Sequence, residues 1–124
     1  MERERFVEIV AEVLDALPKR FRRRIDNVAV LVEDMPAEQR PRPGRPHANP
    51  SRPRQLLLGV FVGVPATRKS VFNLPAGPDH IILYQKNIEA VCRDEREIRH
   101  QIRQTVMHEL GHYFGMTEDQ LRDV

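Results

Sequence analysis

Two histidines four residues apart, His108 and His112, enclose a glutamate in the segment His108-Glu109-Leu110-Gly111-His112. On a helix, positions four apart share a face, so both imidazoles can be presented to one ion. Glu109, beside the first imidazole, is placed to take a proton from a water on that ion. Zinc held by two histidines and a carboxylate keeps a fourth position open, which is the layout of a hydrolytic site. Gly115 follows His112 by three residues and suits a sharp helix exit that swings the chain back toward the metal. Carboxylates come next, at Glu118 and Asp119, where a third ligand is wanted. The residues therefore propose His108 and His112 as metal ligands, Glu118 or Asp119 as the third, and Glu109 as general base.

This chemistry requires a helix under the motif. Asp94 and Glu97 form a D-x-x-E capping box at its start. Ile98, Ile102, Val106, Glu109 and Tyr113 then fall near one side of the wheel, with Leu110 just beyond. His108 and His112 lie on the flank of that side, so the helix is expected to pack along one edge while its imidazoles look into a cleft. Residues 117–124 read as a terminal helical turn with Thr117 as N-cap.

Upstream, Phe6, Ile9, Val10, Val13, Leu14 and Leu17 recur at helical steps, and Pro18 stops that helix. Val28, Val30, Leu31 and Val32 mark a strand within residues 27–33, and the apolar run inside 55–64 marks a second. Residues 80–85 make a third strand, and Ile88 to Cys92 a short helical turn or a strand extension. The stretch 36–54 holds six prolines and five arginines and almost nothing apolar, so it is expected to be a flexible loop. The expected architecture is one α+β domain over residues 1–124. A small, mostly antiparallel or mixed sheet of three to four strands carries an N-terminal helix and the long motif helix.

A chain of 124 residues that is 40% hydrophobic and 31% charged fits a globular domain with one modest core. No apolar run approaches the roughly 18 residues of a membrane helix. The charged start Met1-Glu2-Arg3-Glu4-Arg5 is no secretory signal, and the single cysteine, Cys92, excludes an internal disulfide and reads as a buried structural thiol. A cytoplasmic location follows from both. The basic block Lys19-Arg20-Phe21-Arg22-Arg23-Arg24 and the arginines of the proline-rich stretch are able to neutralise phosphates. Such a short run is more often a solvated turn or helix end, and the absence of tryptophan argues against a base-stacking surface. His47 and His100 read as surface residues.

From Leu56-Leu57-Leu58-Gly59-Val60-Phe61, through Ile81-Ile82-Leu83-Tyr84, to His108-Glu109-Leu110-Gly111-His112-Tyr113-Phe114-Gly115-Met116, the chain resembles the small bacterial zincin-like metallopeptidases. These carry the signature H-E-x-x-H-x-x-G-x-x-D, and the resemblance covers nearly everything except the proline-arginine stretch. It implies a minimal zincin fold with Zn²⁺ as cofactor, and it makes the acidic residue that closes the signature, here Glu118 rather than Asp, the third ligand. It implies hydrolysis of peptide bonds in a peptide or protein substrate, held as an extended chain by an edge strand beside the motif helix. Either the second or the third strand is able to serve as that edge. Tyr113, Tyr84 and His80 are candidates to steady the oxyanion. Two other readings stand behind this one. The first is a zincin-fold module that binds metal or peptide without turnover. The second is a basic nucleic-acid-associated protein in which a metal only staples the fold.

Overall fold

The computed structural model describes residues 1–39, 56–63, 79–113 and 115. The N-terminal stripe forms α1 (Arg3–Asp15) and buries Phe6, Ile9, Val10 and Val13. Pro18 ends this helix but also begins another, as the N-cap of α2 (Lys19–Ile25). A proline costs little there, because the groups it lacks are unsatisfied at a helix start anyway. The basic block is thus a short helix and not a turn. Phe21 is buried and Ile25, four residues on, packs against the core, while Lys19, Arg20, Arg22, Arg23 and Arg24 are exposed.

Among the described residues three strands follow: β1 (Ala29–Glu33), β2 (Gly59–Val62) and β3 (His80–Tyr84). They form a mixed sheet in the order β1-β3-β2, with β1 parallel and β2 antiparallel to the central β3. Val30, Ile81 and Phe61 share one row across the sheet, and Val32, Leu83 and Gly59 share another. Because side chains alternate along a strand, both rows lie on one face, and that face meets the helices: Ile81 and Leu83 are fully buried. The fold is α+β, as expected.

Tyr84 is both the end of β3 and the N-cap of α3 (Gln85–Ala90), so the residues before Cys92 are helical and do not extend the strand. The motif helix is α4 (Glu95–Tyr113). Its start is capped by Asp94, whose Oδ1 accepts the Glu97 N–H at 2.9 Å. The Glu97 carboxylate does not return to the Asp94 N–H as a full capping box would; it accepts from the Arg93 side chain at 3.3 Å. The buried set of α4 is Ile98, Ile102, Val106, Met107, Leu110 and Gly111. That arc is wider than one helical stripe because α1, α3 and the strands β2 and β3 all pack on α4. Each fully buried aliphatic side chain in it contributes about 1.5–3 kcal/mol of transfer free energy. Arginines tie α4 to α1: Arg5 pairs with Glu95 and Glu8, and Arg99 pairs with Glu12 and Glu95.

The proline-arginine stretch opens with a short turn. Pro36 is buried, Ala37–Gln39 form a single 3-10 turn, and the Gln39 amide pairs with Asn87. The remainder of that stretch, from residue 40, lies outside the described residues, as does the terminal turn expected at 117–124. Among the described residues no helix is long and apolar enough to cross a membrane.

Candidate active site

One helical turn separates His108 from His112, and both side chains are exposed. Their ring centroids are 4.2 Å apart with the planes tilted by 47°, so two nitrogen donors converge on one patch of solvent. Glu109, next to His108, is half-buried. After Tyr113 the helix stops, and Gly115 adopts φ 73°, donating its N–H to the His112 carbonyl at 3.1 Å. Glycine enters that left-handed region without a Cβ clash, which is why the sharp exit occurs at this residue. Glu118 and Asp119 lie outside the described residues. Among the described residues no three His, Cys, Asp or Glu side chains gather closely enough to hold a metal. Two adjacent imidazoles with room for a third donor and an open position fit a tetrahedral zinc site.

Beside the histidines lies a cleft of about 340 Å³. Its α4 wall is Gln101, Gln104, Thr105, His108 and Glu109, and its other wall is Leu57, Leu58 and Gly59, the segment leading into β2. The sheet order decides which strand borders it. Since β3 is central, the third strand is excluded as the edge beside α4, and among the described residues β2 takes that position. Tyr84 N–H donates to Leu58 O at 2.9 Å, which makes Leu58 and Tyr84 a hydrogen-bonded pair. Antiparallel pairs alternate, so the main-chain N–H and C=O groups of Gly59 and Phe61 turn away from β3 toward the outer edge.

Three contacts hold this wall in place. A Cβ on Gly59 would lie 2.7 Å from Thr105 Cγ2, so only glycine lets β2 approach α4 this closely. Asn87, 3% exposed, donates from Nδ2 to Leu57 O at 2.8 Å and to Gln39 Oε1 at 3.0 Å, and its Oδ1 accepts from Gln39 Nε2 at 2.9 Å. One buried amide thereby fixes the cleft wall to the 3-10 turn. At the far end, the Tyr113 hydroxyl donates to Asp79 Oδ2 at 2.8 Å, and its ring stacks on Phe61 with centroids 4.1 Å apart. Asp79 fits there because position 63 is glycine, where a Cβ would come within 2.5 Å of Asp79 Oδ1.

Tyr113 therefore anchors the end of α4 to the sheet and is absent from the cleft lining. Tyr84 is buried at the start of α3, and His80 opens β3, half-buried; neither lines the cleft. Sequence reasoning missed Asp79, Asn87, Thr105 and the two glutamines. Gly59 could have been found, because a glycine inside an apolar strand signals a close backbone approach. Cys92 packs against the core, half-buried, and burial followed by the charges of Glu97 and Asp94 pushes its thiol up. It is a neutral thiol at pH 7, as a structural cysteine should be. His100 is exposed on α4, and His47 lies outside the described residues.

A comparison with curated proteins finds no match. Among solved structures, a conserved hypothetical protein from Thermo thermophilus superposes with a TM-score of 0.59 at 24% sequence identity, covering 92% of this chain and 94% of that one. That likeness shows a shared fold. The profile of the zincin-like metallopeptidases matches residues 25–124, a span that contains all three strands, the cleft walls and the whole of α4. The chain belongs to the zincin-like metallopeptidase family.

Proposed function

We propose that this protein is a zinc-dependent peptidase. The observation that carries the reading is the close approach of the His108 and His112 imidazoles, with His108 and Glu109 both lining a cleft that runs beside β2. Glu118 is the proposed third ligand, with Asp119 as its alternative. Bound there, zinc supplies Lewis acidity and makes water a nucleophile near neutral pH. The rest of the reaction belongs to the chain. An extended substrate adds to β2, taking main-chain hydrogen bonds from Gly59 and Phe61, which sets its backbone alongside α4. Glu109 takes the proton of the attacking water and delivers it to the leaving amine. Tyr113, held by Asp79, keeps the end of the helix and hence His112 at a fixed distance from the strand.

The test is metal content and peptide hydrolysis on the purified full chain, for the wild type and for His112→Ala, Glu118→Ala and Glu109→Gln. The wild type is expected to hold about one zinc per chain, as a mononuclear site requires, and His112→Ala to lose it. Loss in Glu118→Ala identifies the third ligand; retention transfers that role to Asp119. Glu109→Gln should keep the metal and lose about 10²–10⁴-fold in hydrolysis. A wild type that takes up no zinc when supplied with it defeats the proposal. Zinc uptake without cleavage of any peptide leaves a silent zincin-fold module.

A further inference from the structure

The cleft continues well past the histidines. Gln101, Gln104, Thr105 and His108 follow at three- and four-residue steps, so they form one stripe of α4. From Gln101 to His108 the helix rises roughly 10 Å, and about three residues of extended chain span that length. The facing wall is Leu57, Leu58 and Gly59. In a chain that is 31% charged, the described lining of this trough beyond His108 and Glu109 contains no ionisable side chain. It offers two amides, one hydroxyl, two leucines and a glycine. Gln101 Nε2 donates to Thr105 Oγ1 at 3.4 Å, which orients both groups along the floor.

We propose that this trough is a substrate subsite selective for neutral residues: about three consecutive uncharged positions on one side of the scissile bond, amide- or hydroxyl-bearing or small and apolar. The inference rests on the peptidase reading and adds its substrate class. A carboxylate or ammonium group lodged beyond His108 and Glu109 gives up water and meets no opposite charge among the described lining residues, so it is rejected. A glutamine, serine or threonine side chain exchanges its water for Gln101, Gln104 and Thr105, and each of these can both donate and accept. An apolar side chain instead packs on Leu57 and Leu58.

The experiment uses zinc-loaded Glu109→Gln protein, in which binding is read apart from turnover. Blocked peptides identical outside one central tripeptide (Gln-Ser-Leu, Glu-Asp-Glu or Lys-Arg-Lys) are titrated against it. The neutral peptide is expected to bind about tenfold or more tightly than either charged one. Gln104→Glu should transfer that preference to the basic peptide and Gln104→Lys to the acidic one, with zinc content unchanged; Gln104 is exposed, so neither change threatens the fold. Equal binding of the three peptides, or a ranking that ignores both Gln104 variants, overturns the neutral subsite. Wild-type hydrolysis of the same peptides is scored separately. Ranked binding without cleavage keeps the subsite and removes the peptidase, and no binding by any peptide removes both.

Discussion

The two halves of α4 differ in what surrounds them. From Glu95 to Ile102 the helix is capped by Asp94, bonded to α1 through Arg5, Glu95, Arg99 and Glu12, and buried through Ile98 and Ile102. From Val106 to Tyr113 it keeps Val106, Met107 and Leu110 in the core but turns His108 and His112 to solvent, and its end is held by Tyr113 on Asp79 and Phe61. The half without the imidazoles carries the electrostatic and capping groups, and the half that bears them borrows its rigidity from the sheet. A consequence is that stability and metal binding are separable along one helix.

The largest effects should come from crossing the two halves. Ile102 is fully buried, so Ile102→Ala removes packed methyl groups and leaves a cavity, a loss of about 2–5 kcal/mol in unfolding free energy. Zinc affinity measured well below the lowered midpoint should hardly move. His112→Ala is the converse: the loss of an exposed side chain should lower zinc affinity by more than the roughly 10–100-fold typical of an outer partner of a metal ligand. The unfolding midpoint of the apo protein should stay near that of the wild type. Chemical denaturation and chelator competition on both variants read the two quantities. A shared loss of stability and affinity in either variant would show that the halves are coupled after all.

A smaller effect sharpens the boundary between them. Gly59 touches α4 at Thr105, one turn before His108, and a Cβ there meets Thr105 Cγ2. Gly59→Ala should cost about 1–3 kcal/mol, as overpacking does. Thr105→Ser removes the offending methyl while keeping the hydroxyl, so the double variant should recover most of the loss. Failure of the second change to rescue the first would mean that glycine is required for some reason other than its distance from α4. Calorimetric midpoints of the two single variants and the double variant decide the matter, because contacting residues are expected to be non-additive.

The same division explains what was legible beforehand. The period of Ile98, Ile102, Val106 and Leu110, the Asp94 cap and the spacing of His108, Glu109 and His112 are local patterns, and α4 follows from them directly. The cleft is not local. Its wall depends on a sheet order, β1-β3-β2, that pairs strands widely separated in sequence. A hydrophobic run says that a strand exists but not which neighbour it takes, so the second and third strands remained equal candidates for the edge. Asn87 joins Gln39 and Leu57 across separations of 48 and 30 residues, and no short pattern announces such a clamp. Helix α2 was hidden for another reason. Pro18 reads as a stop, and five cations in six residues read as solvent, although Phe21 and Ile25 lie four apart and supply the anchor a short helix needs.

The smallest effect tests the first half of α4 through pH. The Arg5 guanidinium, donating to its carboxylate, is the main reason that the Glu95 carboxyl lies below its ordinary 4.5, with the nearby Arg99 adding to it. In the unfolded chain those arginines are gone and the ordinary value returns. Because the folded value is the lower one, the contribution of Glu95 is present in full above the unfolded value and is lost as pH falls through the folded one. Glu95→Gln should therefore unfold at a slightly lower temperature than the wild type at neutral pH, and the two should converge as the solution is acidified through the folded value. Thermal melts of both proteins across that range are the measurement. Exposed ion pairs are weak, so the gap should also close in high salt. A gap that persists in acid would assign the role of Glu95 to packing or helix propensity. The imidazole end of α4 would then no longer differ from its start in the way the arginine network implies.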